Sequence, residues 1–383
     1  MDKETSLQEF KRVCIHKSSS RSSLQDLPEE LIQNILLRVS IKTLLQLKLL
    51  CKSWNSIISH PQFAKHHLLA STTHHQFLSS ATAAADTKIH IFSINSFFQK
   101  PPTPLGFCTI TAHNLILGSC NGIVCLCHVH QCHITLFNPS TGFASPPLPT
   151  HLSPGEVFST FHGFGYDHVN DKYKVLLVTR VFSETVTKVY TFGENCRIRV
   201  VENAPLDPHP SGFLGKCVSG TLNWMAPKLG QNDSIDQWVI LSFDLASETF
   251  SEVMLPDRNI DNNICKPMIN VVRSCLCVCF FERKKGCWGV WVMKEYGVQD
   301  SWTMLMMVPR FVTDHWPCTR NELCACRGCP PLDPLCVSED GVALFKTTSS
   351  KLLLYHSKHG TFNCFRFRGD IWSYHESLVS PSS

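Results

Sequence analysis

The segment CLCHVHQCH, residues 125–133, is dense in cysteine and histidine, two side chains that commonly bind zinc. A structural zinc site takes four such ligands, usually in separated pairs. Here Cys125 and Cys127 alternate with other residues as a strand requires, and the histidines lie around an expected hairpin turn. The pattern favours a buried strand edge followed by a polar turn, with a zinc site as the alternative.

A second cysteine-rich segment, CTRNELCACRGCPPLDPLC, covers residues 318–336. Its candidate metal ligands are Cys324, Cys326 and Cys329, with Cys318 or Cys336 as the fourth. The Cys-x-Cys-x₂-Cys spacing differs from the usual pair of Cys-x₂-Cys knuckles. We therefore expect a flexible insertion between β-rich repeats and predict no metal site, with zinc binding or redox sensing as the alternative.

Motifs of common enzyme classes are missing from the sequence. Gly215-Lys216 lacks the glycine five residues earlier that a phosphate-binding loop needs, because residue 210 is proline. Gly163-x-Gly165 lacks the third glycine of a dinucleotide fingerprint, and neither Gly-x-Ser-x-Gly nor His-Glu-x-x-His occurs. The sequence therefore predicts no catalytic residues and no cofactor.

Composition indicates a folded protein with reduced thiols. The chain has 383 residues, and its net charge of +4 comes from scattered basic residues, which argues against a nucleic-acid partner. The start, MDKETSLQEFKR, lacks the apolar core of a signal peptide, and no apolar run approaches the length of a membrane helix. We therefore expect an intracellular protein of the cytoplasm or nucleus, without a membrane partner, whose 20 cysteines are mostly buried.

The residue pattern divides the chain into a helical part and a β-rich part. The polar, Ser-rich residues 1–23 and the last residues, 376–383, are expected to be disordered tails. Helical periodicity runs through residues 24–69, and the small residues of 70–85 are expected to form a linker. In residues 86–375, short runs of β-branched, aromatic, Leu and Cys residues alternate with turn residues, which predicts a large all-β domain.

The β-rich part is internally repetitive. Units beginning near Gly118, Gly163, Gly215, Ser274 and Leu335 follow one another at intervals of about 45–60 residues, and each holds three or four short strands. Repeats of this length in an all-β chain predict the blades of a β-propeller, whose small sheets are apolar on both faces and stack on their neighbours. A large β-sandwich with similar hairpins is the alternative.

Two groups of residues in the β-rich part have an expected place. The tryptophans, mostly expected in blade cores, are Trp224, Trp238, Trp288, Trp291, Trp302 and Trp316. The polar or Pro-rich connections expected to carry recognition residues are 203–211, 227–237, 257–268 and 313–333.

The helical part carries more apolar residues than it can bury by itself. Residues 27–68 hold 20 of them, and Leu44, Leu47, Cys51, Trp54 and Ile58 form one stripe at intervals of three and four. A hairpin of this size buries too little surface to be stable alone. A second apolar face must therefore meet either the β-rich part or another protein, and the linker favours another protein.

The segment LPEELIQNILLRVSIKTLLQLKLLCKSWNSIISHPQFAKHHL resembles an F-box. The matching positions are Leu27-Pro28, Glu30, Ile35-Leu36, Arg38, Lys42, Leu44, Lys48, Cys51-Lys52, Trp54, Ile58, Pro61 and Phe63. Ser40 departs from the family, which usually has proline between the first two helices. The β-rich part resembles the plant F-box-associated domain, often grouped with kelch-repeat proteins, through LGSCNGIVCL, LFNPSTG, FHGFGYDHVNDKYKVLLV, GTLNWMA, ILSFDLASETFSEVMLP and VSEDGVALF.

The resemblance implies a substrate receptor of an SCF-type ubiquitin ligase. The F-box would dock on a Skp-family adaptor tied to a cullin scaffold, and the β-domain would capture the protein to be ubiquitinated. The residues expected to contact the adaptor are Leu27, Pro28, Ile32, Leu36, Leu44, Leu47 and Trp54, while Ile35 and Ile58 are expected to be internal. The alternative function is a propeller enzyme or a glycan-binding module with a helical cap.

Overall fold

The computed structural model describes most of the chain after residue 27. The described residues are 28–70, 76–82, 86–93, 96–97, 104–111, 114–128, 130–151, 160–181, 184–193, 196–201, 210, 212–229, 235–256, 266–282, 285–310, 331–347, 351–367 and 371–381. The expected tail 1–23 therefore lies outside them. Contacts divide the chain into two compact units, a helical one at Met1–Ser71 and a β-rich one at Thr72–Ser383.

The described part of the helical unit forms four short helices. They are α1 Glu29–Leu36, α2 Ile41–Leu47, α3 Lys52–Ser59 and α4 Pro61–Ala70. Pro28 precedes α1, where its missing N–H is no loss, and Glu29 and Glu30 suit the positive end of the helix dipole.

Side-chain caps explain where α2 and α3 begin. Ser40 has extended backbone angles, and its Oγ accepts a hydrogen bond from the Thr43 N–H at 3.4 Å. The serine that replaces the family's proline thus serves as the N-cap of α2. Cys51 does the same for α3, because its Sγ accepts from the Trp54 N–H at 3.5 Å. The stripe that was expected to run continuously from Leu44 to Ile58 is therefore interrupted by a turn at 48–51. Cys51 at the end of this turn caps a new helix.

The β-rich unit contains six four-stranded sheets in the described residues. The first sheet contains β1 Gln76–Thr82, β2 Asp86–Ser93, β3 Gly106–Thr111 and the last strand, β24 Ile371–Tyr374; the second contains β4 Asn114–Cys120, β5 Ile123–His128, β6 His133–Phe137 and β7 Leu148–Pro149; the third contains β8 Thr160–Asp167, β9 Lys172–Val181, β10 Glu184–Thr191 and β11 Arg197–Val201. The fourth contains β12 Lys216–Val218, β13 Thr221–Leu229, β14 Ile235–Asp244 and β15 Thr249–Val253; the fifth contains β16 Met268–Val272, β17 Cys275–Glu282, β18 Cys287–Met293 and β19 Trp302–Pro309; the sixth contains β20 Leu332–Val337, β21 Val342–Thr347, β22 Lys351–His356 and β23 Thr361–Arg366.

These sheets are the blades of a six-bladed β-propeller. Within each sheet, neighbouring strands pair antiparallel in chain order, except that β24 joins the first sheet beside β1. The edge strands β24, β4, β8, β12, β16 and β20 contact one another in that order and so surround the axis. The propeller prediction is confirmed, and the β-sandwich alternative is excluded.

The ring closes by pairing the two ends of the β-rich unit. β24 pairs with β1 from Gln76 opposite Tyr374 to Ser79 opposite Ile371. The first blade is thus completed by the C-terminal strand β24, which becomes its inner strand, so that residues from both ends of the β-rich unit hold one sheet together.

Two expected boundaries differ from the structure. Residues 70–85 include β1, because QFLSSAT pairs with strands on both sides even though its small residues resemble a linker. The expected C-terminal tail is packed rather than free up to residue 381. Asn138 Nδ2 donates to the carbonyl oxygens of Ser377 at 3.0 Å and Val379 at 2.8 Å, and both of those residues are buried.

The blades pack through large aromatic side chains that sit against glycines. Trp224 of β13 is buried in a cluster shared with β8 and β9. A side chain at Gly215 would overlap the Trp224 ring, and a Cβ at Gly163 would lie 2.8 Å from Leu222 Cδ1. Gly163, which marks the start of a repeat unit in the sequence, is therefore a position where the third blade packs closely on the fourth, whereas Gly215 makes room for Trp224 within the fourth blade. Of the six tryptophans expected mostly in blade cores, four are buried: Trp224, Trp238, Trp288 and Trp302. Trp291 is half-buried, and Trp316 lies outside the described residues.

A buried ion network also joins the third and fourth blades. Lys174 Nζ lies 3.0 Å from Asp167 Oδ2 and 2.8 Å from Glu248 Oε1, and it donates to the Leu245 carbonyl oxygen at 2.6 Å. Burial raises the pKa of Asp167, but hydrogen bonds from Asn170 and Lys174 outweigh burial and hold that pKa below its ordinary value. The network therefore keeps Asp167 ionised inside the protein.

Candidate functional site

The residues expected to contact an adaptor occupy different environments in the helical unit. Their places are as follows: Pro28 is exposed, Ile32 and Trp54 are half-buried, Leu36, Leu44 and Leu47 are buried, and Leu27 lies outside the described residues. Leu36 is 1% exposed and Leu44 is fully buried. The expectation that these leucines face outward needs correction, because their side chains belong to the interior. Their direct contact with an adaptor stays a prediction.

A different group of apolar side chains faces solvent. We call it the exposed apolar set, and its members are Leu31 at 50% exposure, Ile35 at 40%, Leu49 at 86%, Leu50 at 70% and Leu69 at 83%. Ile35 was expected to be internal and is not, whereas Ile58 is internal as expected at 2%. Leu49 and Leu50 follow the end of α2 and lie in a turn. Helical periodicity that is extended through these two residues therefore does not tell which way their side chains face. The signal that could have found them is the cap at Cys51, which ends the periodicity.

Interactions within the helical unit fix the positions of this set. His67 Nε2 lies 2.8 Å from the Val39 carbonyl oxygen, which joins α4 to the chain just after α1. Phe63 and Ala64 of α4 are buried as well. The exposed apolar set therefore projects from helices that already have an interior of their own.

The propeller has a cavity of about 340 Å³ at one end of its axis. Every one of the six sheets contributes to its wall, and the inner strands contribute residues near their beginnings. The wall includes the apolar side chains of Ile116, Met225, Ile269 and Trp372. A concave site of this kind, with apolar walls and a few polar groups, is typical of ligand recognition.

Charged side chains also line this cavity. Lys216, Lys266, Lys346 and Asp333 are among its lining residues. Asp333 stands opposite Lys346 in the β20–β21 ladder and accepts a hydrogen bond from Asn270 Nδ2 at 2.8 Å. Charged residues of both signs therefore belong to the described lining.

The expected recognition connections lie largely outside the described residues. Within 227–237, however, the residues up to Leu229 and from Ile235 onward belong to the β13–β14 hairpin. Because the strands of each blade alternate in direction, the strand ends that flank all four connections lie at the same end of the ring as the axial cavity. These flanking positions are consistent with that end being a recognition surface.

Six of the 14 described cysteines are buried, five are half-buried and three are exposed, so the expectation that most are buried is not met among the described residues. Cys125 and Cys127 lie in β5, where burial raises the pKa of Cys127 to about 12 and that of Cys125 well above its usual range. Burial also raises the pKa of Cys336 to about 12. Within the described part of the chain, three or more metal-ligating side chains nowhere come together. Cys324, Cys326 and Cys329 lie outside it, so the alternative of a metal site there stays open.

The histidines of the first cysteine-rich segment occupy the hairpin between β5 and β6. The rings of His128 and His133 stack with centroids 4.1 Å apart, and burial together with the neighbouring His133 lowers the pKa of His128. This arrangement agrees with the expected strand edge and polar turn.

Helices long and apolar enough to span a bilayer do not occur among the residues that the structure describes.

Comparison with protein families identifies both parts of the chain. The F-box domain model matches residues 24–66, and the model described as F-box associated beta propeller domain matches residues 52–327. The second match alone covers well over half of the 383 residues.

Individual relatives agree with the family models. An F-box/kelch-repeat protein of Arabidopsis thaliana is 29% identical over 94% of this chain and 97% of its own length. The Arabidopsis F-box protein CPR1 is 28% identical over 74% of this chain and 73% of its own. Among solved structures, a chain of the nidogen/laminin complex covers 78% of this chain and 96% of its own length with a TM-score of 0.40 and 9% identity, a likeness that carries no argument about function. On the two family matches, the chain belongs to the F-box proteins that carry an F-box associated β-propeller domain.

Proposed function

We propose that this chain is the substrate-recognition subunit of an SCF-type ubiquitin ligase. The F-box helices dock on a Skp-family adaptor, the adaptor joins a cullin scaffold, and the propeller captures the protein to be ubiquitinated. The chain is a non-catalytic subunit that raises the effective concentration of target lysines near an activated ubiquitin. It acts inside the cell, without a membrane or nucleic-acid partner.

The exposed apolar set is the observation that carries this proposal. Burying a large aliphatic side chain contributes roughly 1.5–3 kcal/mol, whereas association costs roughly 4–15 kcal/mol. The five members of the set, with half-buried Ile32 and Trp54 beside them in the sequence, supply enough apolar surface for a stable complex. A single exposed leucine would not.

The propeller supports the second half of the proposal. Its closed ring is a rigid scaffold, and all six blades contribute to one concave site at the end where the inner strands begin. Binding residues held on a rigid scaffold in this way suit the capture of another protein.

Co-purification with a Skp-family adaptor tests the docking step. The full chain is co-expressed with the adaptor, and adaptor recovery is measured for the wild type and for Ile35→Asp and Leu50→Asp. We expect each variant to lose at least about tenfold in adaptor affinity, because a carboxylate replaces an apolar side chain that the complex buries.

Two neighbouring exposed positions supply matched controls. Asn34→Asp on α1 and Ser53→Asp on α3 add the same charge without removing apolar surface, and they should bind the adaptor as the wild type does. Leu36→Asp is unsuitable as a probe, because Leu36 is 1% exposed and a buried carboxylate would disrupt the helices themselves. Absence of adaptor from the wild-type preparation would contradict the proposed function.

A further inference from the structure

Four basic side chains of the helical unit have no opposite charge close by. They are Arg38, Lys42, Lys48 and Lys52, of which Lys48 is half-buried and the other three are exposed. Within the part of the chain that the structure describes, none of these four side chains forms an ion pair or a hydrogen bond. Their positive charge is therefore available to another molecule.

The carboxylates of the described helical unit lie together at the start of α1. Residues 28–70 contain two of them, Glu29 and Glu30, in the first turn, where the helix dipole favours negative charge. Glu29 also accepts a hydrogen bond from Gln33 Nε2 at 3.3 Å. Arg38 follows Glu30 by eight residues, which is about 12 Å along a helix axis. That separation exceeds the Debye length of about 8 Å at physiological ionic strength, so Glu30 offsets the charge of Arg38 only weakly.

The basic side chains lie beside members of the exposed apolar set. Arg38 comes one turn after Ile35, and its N–H donates to the Ile35 carbonyl oxygen at 3.1 Å, which keeps the two residues close. Lys48 directly precedes Leu49, which is 86% exposed. The surface therefore combines apolar side chains with positive charge at their margins.

The turn between α2 and α3 shows this combination most clearly. Leu49 and Leu50 are 86% and 70% exposed, and Lys48 and Lys52 bracket them in the chain. Nucleic acid would match the charge but would offer these leucines few apolar contacts. An amphipathic helix on an anionic membrane presents one continuous apolar face, whereas the exposed leucines here are spread over a turn and separate helices. A protein surface that has both apolar pockets and carboxylates fits both features.

We infer that the exposed apolar set docks on an acidic protein surface, and that Arg38, Lys42, Lys48 and Lys52 steer the association. This inference rests on the proposed receptor function, in which the partner is a Skp-family adaptor, and it adds the charge that the adaptor's contact surface carries. Charges at the margin of an interface mainly raise the rate of association, through attraction that acts before contact. The buried apolar side chains mainly determine how slowly the complex dissociates.

Stopped-flow kinetics of the full chain with a purified Skp-family adaptor tests this inference. We expect the association rate constant of the wild type to fall at least about fivefold from low to high salt, while the dissociation rate constant changes less than about twofold. Lys48→Gln with Lys52→Gln, and Arg38→Gln with Lys42→Gln, should each lower the association rate constant by about threefold at low salt, and the four changes together by about tenfold. An association rate that does not depend on salt would overturn the inference.

A matched double variant on the propeller supplies the control. Lys294→Gln with Lys358→Gln removes the same charge from two exposed turns and should leave both rate constants as in the wild type. Leu50→Asp should instead raise the dissociation rate constant, because it removes an apolar contact. Equal losses of association rate in the propeller pair and in the Lys48–Lys52 pair would overturn the assignment of steering to the helical unit.

Vesicles with and without anionic lipid distinguish a protein from a membrane as the occupant. The full chain should bind the adaptor at least about tenfold more tightly than it binds either kind of vesicle. Binding to anionic vesicles as tight as binding to the adaptor, and weakened by Lys48→Gln with Lys52→Gln, would overturn the assignment to a protein surface.

Adaptor recovery at equilibrium separates this inference from the proposed function. It is measured for each preparation before the kinetic experiments. A wild type that recovers the adaptor, but whose association rate depends neither on salt nor on the four basic residues, overturns the steering inference alone. Failure of the wild type to recover the adaptor counts against the receptor function itself.

Discussion

The helical unit and the propeller differ in how many of their large apolar side chains are exposed. In residues 28–70, five large apolar side chains are between 40% and 86% exposed. The propeller exposes such residues more sparsely, buries most of its described tryptophans and closes its ring by pairing β24 with β1. A unit that has covered its own surface can be stable alone, whereas a small unit with much uncovered apolar surface favours a partner. This contrast supports the proposal that the helices dock on the adaptor and that the propeller presents the recognition surface.

Removing the closing strand should produce the largest effect on the propeller. A chain that ends at residue 367 lacks β24 and the buried residues after it, so β1 loses one of its two partners and Asn138 loses both carbonyl acceptors. We expect loss of the cooperative thermal unfolding transition, measured by near-ultraviolet circular dichroism. A chain that lacks only residues 382–383 is the control and should unfold as the full chain does. A cooperative transition in the shorter chain would show that the ring does not depend on its closure.

Trp224→Ala should destabilise the propeller strongly but leave the helices intact. The side chain is 1% exposed and lies between two blades, so its removal should lower the free energy of unfolding by about 3–5 kcal/mol. Met307→Ala, at a position that is 45% exposed, should change it by less than about 0.5 kcal/mol. Chemical denaturation measures both values. If Trp224→Ala lowered the free energy of unfolding as little as Met307→Ala, blade packing would contribute less to stability than the burial of Trp224 indicates.

Asp167→Asn should have a smaller effect that depends on pH. At pH 7 the variant leaves the buried Lys174 ammonium with one carboxylate fewer, at a cost of about 2–3 kcal/mol. Because the pKa of Asp167 is lower in the folded protein, its contribution is present above the unfolded pKa of about 3.9 and is lost as pH falls through the folded value. The difference in stability between wild type and variant should therefore shrink in acid. A difference that stays constant from neutral to acidic pH would show that the ion pair is not its cause.

The sequence predicted the propeller because its signals are local. Short β runs separated by turn residues, and glycines such as Gly163 and Gly215 that recur at the starts of the repeat units, indicated the repeat directly. Blade closure was not predictable in the same way, because β1 has small residues and its partner β24 lies at the other end of the chain. The C-terminal contact with Asn138 depends on the same long-range geometry.

The exposed apolar set was only partly predictable. Helical periodicity locates apolar stripes but does not tell which stripe is internal, so Leu36 and Leu44 were assigned outward and Ile35 inward. The turn before Cys51 changes the direction of the chain, and Leu49 and Leu50 become exposed as a result. The axial cavity could not be predicted either, because its lysines come from three blades that are distant in sequence.

Amide hydrogen exchange of the full chain, with and without a Skp-family adaptor, tests the central claim most directly. If the exposed apolar set is the docking surface, peptides within residues 28–70 should exchange more slowly when the adaptor is bound, while peptides from the blade cores should be unchanged. Unchanged exchange in the helices of a demonstrated complex, with protection located in the propeller instead, would contradict this account.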